Sequence, residues 1–520
     1  MSGNRRRHDV LLVNIRHGDV DSTVIGQRML TYVTYKLTID AYNLRCTCLR
    51  ITHYLNKGKN SMLKKYKKIA LGLFIVGLSN TAVSADTLFT NVNVFNGTDN
   101  KLYEGCSVLV EKNLIKEWCS KSDKAEKDTI VIDGQGKTLM PGLIDSHTHM
   151  NVMESGGLKE WEASTWERIG ALAAATAQDM FYEGFTTIRD MGGMSSGLKN
   201  TIDQGFIEGP RIYPSGSYIS QTAGHGDLTL PSQQLNPENS NVVKLGITSI
   251  VDGEDEVRKA TRRNLAGGAS QIKIMMGGGI SSEKGPLFAS QFSDAEVMAI
   301  IEEAEARQTY VATHIYQPHH IIRALNLGVK SIEHGQFIDE EGMKLLIKKG
   351  AFIAPFTASL SGTELAKHPV YGKPGSPQNQ KSLEFIENSK NFVGLVKKYK
   401  PNLVFAGDVV FLPGENARRQ RDFEKYQFTQ LFGNFEGLKG LTSTPGKLAQ
   451  MTGGSNPYPH KLGVIEKGAY ADILIVEGNP LEDISAIGAK SVFFDAKARS
   501  KHIDSIKLIM KDGKVYKNTL

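Results

Sequence analysis

Between residues 143 and 406 short apolar or β-branched runs alternate with stretches of helical periodicity, a pattern that few folds accept. Strands are predicted at 143–147, 185–189, 211–218, 271–275, 310–315, 329–333, 351–355 and 403–406, with helices over 166–183, 294–307, 318–327 and 339–349 among them. Pro318 suits a first helical turn, and Gly328 and Gly350 suit helix ends. Strands joined through helices run parallel, because the helix is the crossover. Eight such units in roughly 320 residues predict a (β/α)8 TIM barrel.

Shorter β-rich pieces flank this region. Strands are expected at 88–95, 107–110, 114–118 and 129–132, with Asn96-Gly97, Lys112-Asn113 and Asp133-Gly134 as turns. Others are expected at 472–476, 492–494 and 506–511, with Asp512-Gly513 turning into 514–517. Neither piece is long enough to close a core alone. The expected organisation is a barrel over 142–460 and one small β-sandwich built from 86–141 and 461–520.

Residues 62–85 carry the three parts of a secretory signal: Lys64, Lys65, Lys67 and Lys68, then an apolar stretch over 69–78, then Val83-Ser84-Ala85. No cysteine follows directly, which argues against a lipid anchor. A signal belongs at the front of a chain, so residues 1–61 are read as a non-native or disordered extension preceding a true start at Met62. Arg5-Arg6-Arg7 and Cys46-Thr47-Cys48 within it are weak motifs. The net charge of +7 is equally misleading. Residues 1–85 hold 14 of the 62 basic and 4 of the 55 acidic side chains, leaving 48 basic and 51 acidic from Asp86 onward. That balance of −3 gives no support for nucleic-acid binding. Cleavage near Ala85 predicts a periplasmic or secreted protein without stable membrane insertion.

Two cysteines remain beyond the signal. A two-residue turn at Lys112-Asn113 pairs Glu111 with Leu114 and, counted outward, sets Cys106 opposite Cys119. At a non-hydrogen-bonded pair the Cα atoms approach to about 4.5 Å, the near edge of disulfide geometry. The alternatives are a bridge or two small buried thiols.

The chemistry concentrates at predicted strand ends. In Pro141-Gly-Leu-Ile-Asp-Ser-His-Thr-His149, the i, i+2 spacing puts both imidazoles on one face of a strand. Taken alone, a His-x-His pair is more often a solvent-facing pair than half of a metal site. Later strands carry or end in Lys273, His314, His334 and Asp408, and barrel chemistry gathers at strand ends. Four histidines, a lysine and an aspartate therefore converge on one mouth.

With Glu333-His334, Gly407-Asp408 and Gly468-Ala-Tyr-Ala-Asp-Ile473, these motifs resemble the amidohydrolase superfamily over nearly all of the chain beyond the signal. The resemblance implies a binuclear-metal hydrolase. His147, His149 and Asp408 would bind one divalent ion, and His314 and His334 the other. Lys273 would bridge both as N6-carboxylysine, since an ammonium beside two dications is repelled while its carbamate is an anionic ligand. A metal-bridged hydroxide would attack a carbonyl, with Asp408 taking its proton and returning it to the leaving nitrogen. Histidine and carboxylate ligands suit zinc best, with manganese, cobalt or iron open.

Gln221-Thr-Ala-Gly-His-Gly-Asp227 resembles a loop of the prolidase-like and imidazolonepropionase-like branch. His225 there, and Tyr316 two residues beyond His314, are expected donors to a substrate carboxylate or to the tetrahedral intermediate. The resemblance suggests a dipeptidase of the Xaa-Pro or Xaa-Arg/Lys kind. Ala223 replaces a glycine of that loop, Val409-Val410-Phe411 follow Asp408 where relatives have small residues, and 412–460 fits the pattern poorly. A hydrolase of cyclic amides, lactones or phosphotriesters is the alternative. An inactive periplasmic binding or scaffold protein is more remote, because all six ligand candidates are kept. Gly277–Gly279 lacks the lysine of a phosphate loop and is read as close backbone packing. His319, His320, His368 and His460 are expected at the surface. Oligomeric state is not encoded in these motifs, and a homo-oligomer is compatible with them.

Overall fold

A computed structural model of the chain describes residues 86–520 apart from 121–124, 152–157, 283, 413 and 498. The extension over 1–61 and the signal segment over 62–85 lie outside the described residues. The first strands are β1 (Thr87–Val94), β2 (Tyr103–Glu111), β3 (Leu114–Ser120), β4 (Ile130–Asp133) and β5 (Thr138–Pro141). The α/β region then holds β6 (Leu143–Thr148), β7 (Phe185–Asp190), β8 (Arg211–Pro214), β9 (Tyr218–Ser220), β10 (Thr248–Ile250), β11 (Ile272–Met275), β12 (Val311–Ile315), β13 (Ser331–His334), β14 (Phe352–Ala354) and β15 (Asn402–Leu403). The last strands are β16 (Ile473–Val476), β17 (Ile506–Lys511) and β18 (Lys514–Asn518).

Both chain ends share one sheet, in the order β18-β17-β16-β5-β1-β2-β3, with β4 pairing β1. The β16–β5 pairing joins them, running antiparallel from Ile473 opposite Pro141 to Val476 opposite Thr138. One face packs Phe89, Val92, Val108, Leu139, Ile475 and Leu508 into a core of its own. The expected strand at 492–494 does not form. Ala496 N–H donates to Phe493 O at 3.1 Å in a turn, and Phe493 is buried by stacking near Phe423 instead of by strand pairing.

Cys106 and Cys119 form a disulfide, with Cα atoms 4.3 Å apart. The hairpin reaches it by another register. Glu111 pairs with Leu114, but irregularities shift the partners until Ser107 faces Ser120. Cys119 adopts a left-handed φ of 51° at this shift. The closed loop spans 13 residues. Cys119→Ser is therefore expected to lower stability by about 3 kcal/mol. Denaturant unfolding with and without reductant measures this; curves that coincide would show the bridge to be dispensable.

Parallel pairing dominates between the ends. β6-β7-β8 form one sheet and β10-β9-β11-β12-β13-β14-β15 another. Backbone bonds link their edges: Ser146 N–H to Phe405 O at 3.0 Å, Asp408 N–H to His147 O at 2.8 Å, and Ser270 N–H to Pro214 O at 2.7 Å. The predicted strand at 211–218 divides into β8 and β9, because Gly216 turns the chain at φ 71°. A Cβ there would lie 2.6 Å from the Asn264 side chain, so the turn requires glycine. β10 is an additional strand, too short for periodicity to reveal, and β15 is only two residues long.

Helices begin and end on local signals. Trp166–Tyr182 starts where Thr165 accepts from Arg168 N–H, and Asp294–Ala306 has a Ser293/Glu296 capping box. Pro318–Leu327 opens on its proline and closes on left-handed Gly328. The poorly matching 412–460 stretch contains helices Glu415–Phe432, Asn434–Leu441 and Ser443–Gln450. Among the described residues no helix is long and apolar enough to cross a membrane.

Candidate metal centre

Strand register brings the ligand-type side chains together. β11, β12 and β13 run in parallel with Met275 beside His314 and His314 beside Glu333. β6 delivers His147, and its continuation delivers His149. A buried carboxyl pins these turns: Asp145 Oδ1 accepts from His147 N–H and Gly407 N–H, both at 3.0 Å. Gly407 has no room for a side chain, since a Cβ would sit 2.3 Å from Asp145 Oδ2. Burial pushes Asp145 up to about 7. His334 and Asp408 hold left-handed φ values of 71° and 38°, a cost of order 1–3 kcal/mol each that surrounding contacts must offset.

The hydrogen bonds fix where the imidazole lone pairs point. His147 Nδ1 donates to Glu333 Oε2 at 2.8 Å, and His149 Nδ1 faces Gly192 O at 3.5 Å. Glu333 stays ionised: burial opposes this, but Arg189, His147 and Lys273 outweigh it and hold the carboxyl well below its usual range. With hydrogens on Nδ1, both Nε2 atoms present lone pairs. They face each other at 3.2 Å and lie 3.6 and 3.4 Å from Asp408 Oδ1. Their ligand atoms all fall within 4.8 Å of one another. Two lone pairs and a carboxylate oxygen meeting in a buried site repel unless a cation lies among them, so this donor set fits a divalent ion.

The other predicted residues surround that trio. His334 Nδ1 is 3.9 Å from Asp408 Oδ2, and the His314 and His334 rings are 4.4 Å apart. His314 Nε2 donates to Gly278 O at 3.0 Å, leaving its Nδ1 as an acceptor. Burial first, then Lys273, lowers His147 to about 4. Burial likewise carries His314 and His334 well below 6.5, so these imidazoles are neutral, as metal ligands must be. Burial also lowers Lys273 to about 8. Asp408 stays ionised, held below the usual carboxylate range against the cost of burial.

All of these residues line one cavity of about 90 Å³ with His225 and Tyr316. The His225 ring stacks on His314 at 4.0 Å, while burial lowers it to about 3. Tyr316 lies edge-on to His314 at 5.1 Å, and burial lifts its hydroxyl well above 10, so it remains a donor. The walls are apolar: Trp161 stacked on Phe411 at 5.3 Å, with Leu228, Ile280, Leu365 and Val410. An open cleft of about 550 Å³ near Tyr426 and Lys490 contains no such cluster of imidazoles.

Two features escaped the sequence motifs. Arg189 forms a charged pair at 2.6 Å behind His147 with Glu333 of the Glu333-His334 motif, and the arginine is readable only as a charge inside an apolar strand. His320 and His368 are buried, not at the surface, while His319 and His460 are exposed. His368 braces the chain from within. Its Nδ1 accepts from Val370 N–H at 3.1 Å and Tyr371 N–H at 3.2 Å, and its ring stacks on the cavity-lining Tyr371 at 4.0 Å. The triple glycine is tightly packed, as a Cβ on Gly279 would lie 2.1 Å from the His225 ring.

A parallel α/β region with imidazoles and a carboxylate at strand ends defines the class of α/β proteins with a candidate metal site at the strand ends. Residues 138–382 match the amidohydrolase family. An ochratoxinase from Aspergillus niger is 31% identical over 396 residues, covering 73% of this chain and 75% of that protein. The crystal structure of a prolidase complexed with N-methylphosphonate-L-proline is similar at TM-score 0.70 and 30% identity, covering 83% of this chain and all of that one. A Xaa-Pro dipeptidase with bound methionine in its active site is similar at TM-score 0.68 and 26% identity, covering 84% of this chain and 100% of that one. The chain belongs to the amidohydrolase family, in its prolidase-like branch. Its α/β domain is TIM-barrel-like, and family membership makes it a hydrolase of carbon–nitrogen bonds.

Proposed function

We propose that the protein is an exported, metal-dependent dipeptidase that removes an apolar residue from proline. The observation carrying this is the meeting of two imidazole lone pairs and Asp408 at the floor of an apolar cavity. Among the described lining residues Asp408 is the one carboxylate. A cationic side chain would find no counter-charge outside the metal site, which favours Xaa-Pro over Xaa-Arg/Lys.

Our reading is a barrel over 142–460, closed by the bonds between β6 and the residues after β15, beside a sandwich of 86–141 and 461–520. His147, His149 and Asp408 would hold one ion, zinc being the best fit to the donors, and His314 and His334 a second. Bound ions would supply electrophilic activation of the scissile carbonyl and of water. Lys273, lowered to about 8 by burial, offers CO2 a larger share of neutral amine than an ordinary lysine does. Adding CO2 would form an N–C bond with release of one proton, and the resulting carbamate would serve as an anionic ligand. Asp408 takes a proton from the attacking water and delivers it to the leaving nitrogen. Tyr316 donates to the carbonyl oxygen as charge develops there. The Cys106–Cys119 bridge supports an oxidising compartment, in keeping with the signal segment.

Turnover of ochratoxin is the second reading, carried by the 31% identity to an ochratoxinase. Metal analysis with a zinc-supplemented panel of Xaa-Pro and Xaa-Arg dipeptides, cyclic amides and ochratoxin separates the two. Expected are stoichiometric metal, apolar Xaa-Pro turnover and loss of activity with chelator. Less than one metal per chain after supplementation would overturn the enzymatic reading.

A further inference from the structure

The loop carrying His225 is locked to the segment that follows β11. Lys284 Nζ donates to Asp227 Oδ1 at 2.8 Å and Thr229 Oγ1 at 2.7 Å, and His225 N–H donates to Gln291 Oε1 at 3.2 Å. The ring is held between close neighbours, with Gly279 admitting no side chain beside it and His314 stacked on it.

Its hydrogen can be placed from the bonds around Ser282. The Ser282 Oγ lies 2.6 Å from the Lys284 carbonyl and 2.8 Å from His225 Nδ1. A carbonyl oxygen only accepts, so the hydroxyl proton is directed at Lys284. The hydroxyl oxygen must then accept from His225 Nδ1–H. A neutral imidazole has one N–H, so Nε2 is a lone pair. Among the described residues nothing donates to Nε2, and the ring lines the cavity. Lys381, on helix Pro377–Asn388, holds this arrangement from outside. Its Nζ reaches Ser282 O at 2.9 Å, Gly279 O and Gly285 O at 3.1 Å, and Lys284 O at 3.3 Å.

We propose that Lys381 and Ser282 are positioning residues that fix His225 as a hydrogen-bond acceptor, and that its Nε2 receives an N–H of the substrate's α-ammonium group. This reverses the donor role that the loop motif suggested for His225, and it rests on the cavity being the substrate site. An acceptor here selects for a free amino terminus and penalises substrates that offer only oxygen at that position.

The tautomer can be read without turnover, from long-range 1H–15N spectra of the zinc-loaded protein labelled at histidine nitrogens, with His225→Gln assigning the signals. The wild type is expected to show His225 protonated at Nδ1. Ser282→Ala should move the proton to Nε2, Ser282→Thr should keep the wild-type pattern, and Lys381→Met should mix the two forms. Leucyl-proline and 4-methylpentanoyl-proline, which lacks only the amino group, then test recognition. Ser282→Ala should raise KM for leucyl-proline about tenfold or more while sparing the desamino analogue. A wild-type proton on Nε2, an unchanged tautomer in Ser282→Ala, or equal effects on both compounds overturns the inference. The expected tautomers with neither compound hydrolysed would instead count against the dipeptidase reading, leaving the assignment of the acceptor intact.

Discussion

Asp408→Asn is expected to reduce kcat by about 10²–10⁴-fold while the protein still takes up metal when supplemented. Geometry separates the two effects. Asp408 directs Oδ1 at the Nε2 atoms of His147 and His149, 3.6 and 3.4 Å away, and Oδ2 toward His334 Nδ1 at 3.9 Å. An asparagine oxygen can still face the two lone-pair nitrogens across a shared ion, with weaker attraction. The amide cannot take a proton from water and pass it to a leaving nitrogen at neutral pH. Asp408 also has the position for this transfer, its side chain being 15% exposed toward the cavity while that of His147 is 1% exposed. Single-turnover kinetics on zinc-loaded protein, with metal content measured on the same sample, makes the comparison. Near-wild-type turnover would remove Asp408 from proton transfer and leave it only as a ligand.

Much of the centre was legible because its residues obey simple spacing. His147 and His149 fall i, i+2 on a strand edge, and His314 and His334 occupy the ends of neighbouring strands, so periodicity alone places them near one mouth. Helix limits were readable where capping is local, as at Pro318 and Gly328. What the sequence hid depends on partners distant along the chain. Ser282 and Lys381 are unremarkable until folding puts four carbonyl oxygens around one ammonium. The division of 211–218 turns on Gly216 meeting Asn264, and the burial of His368 on Tyr371 folding back over its ring. Short apolar runs such as 492–494 satisfy strand and turn equally well until tertiary packing decides.

Arg189→Met is expected to destabilise the protein by about 3–5 kcal/mol and to weaken metal binding about 10–100-fold, although Arg189 hydrogen-bonds to none of the candidate ligand side chains and does not line the cavity. Its guanidinium donates to Ser146 O at 2.6 Å, Tyr310 Oη at 3.0 Å, Ser331 Oγ at 3.1 Å and Glu333 Oε1 at 2.6 Å. Glu333 spends its other oxygen on His147 Nδ1 at 2.8 Å. Methionine fills much of the volume but leaves a fully buried carboxylate without its guanidinium partner, held only by Ser331 Oγ at 2.5 Å and His147 Nδ1. That carboxyl would protonate to escape the charge, and a protonated Glu333 no longer enforces the hydrogen on His147 Nδ1 that frees Nε2 for metal. Arg189→Met/Glu333→Gln isolates the cause. The glutamine oxygen can still accept from His147 Nδ1–H without bringing a buried charge, so the double variant should recover stability and metal affinity relative to Arg189→Met. Chemical denaturation and calorimetric zinc titration of both proteins decide the matter. If Arg189→Met stays within about 1 kcal/mol of wild type, or if the double variant is the worse of the two, the buried pair is not what orients His147.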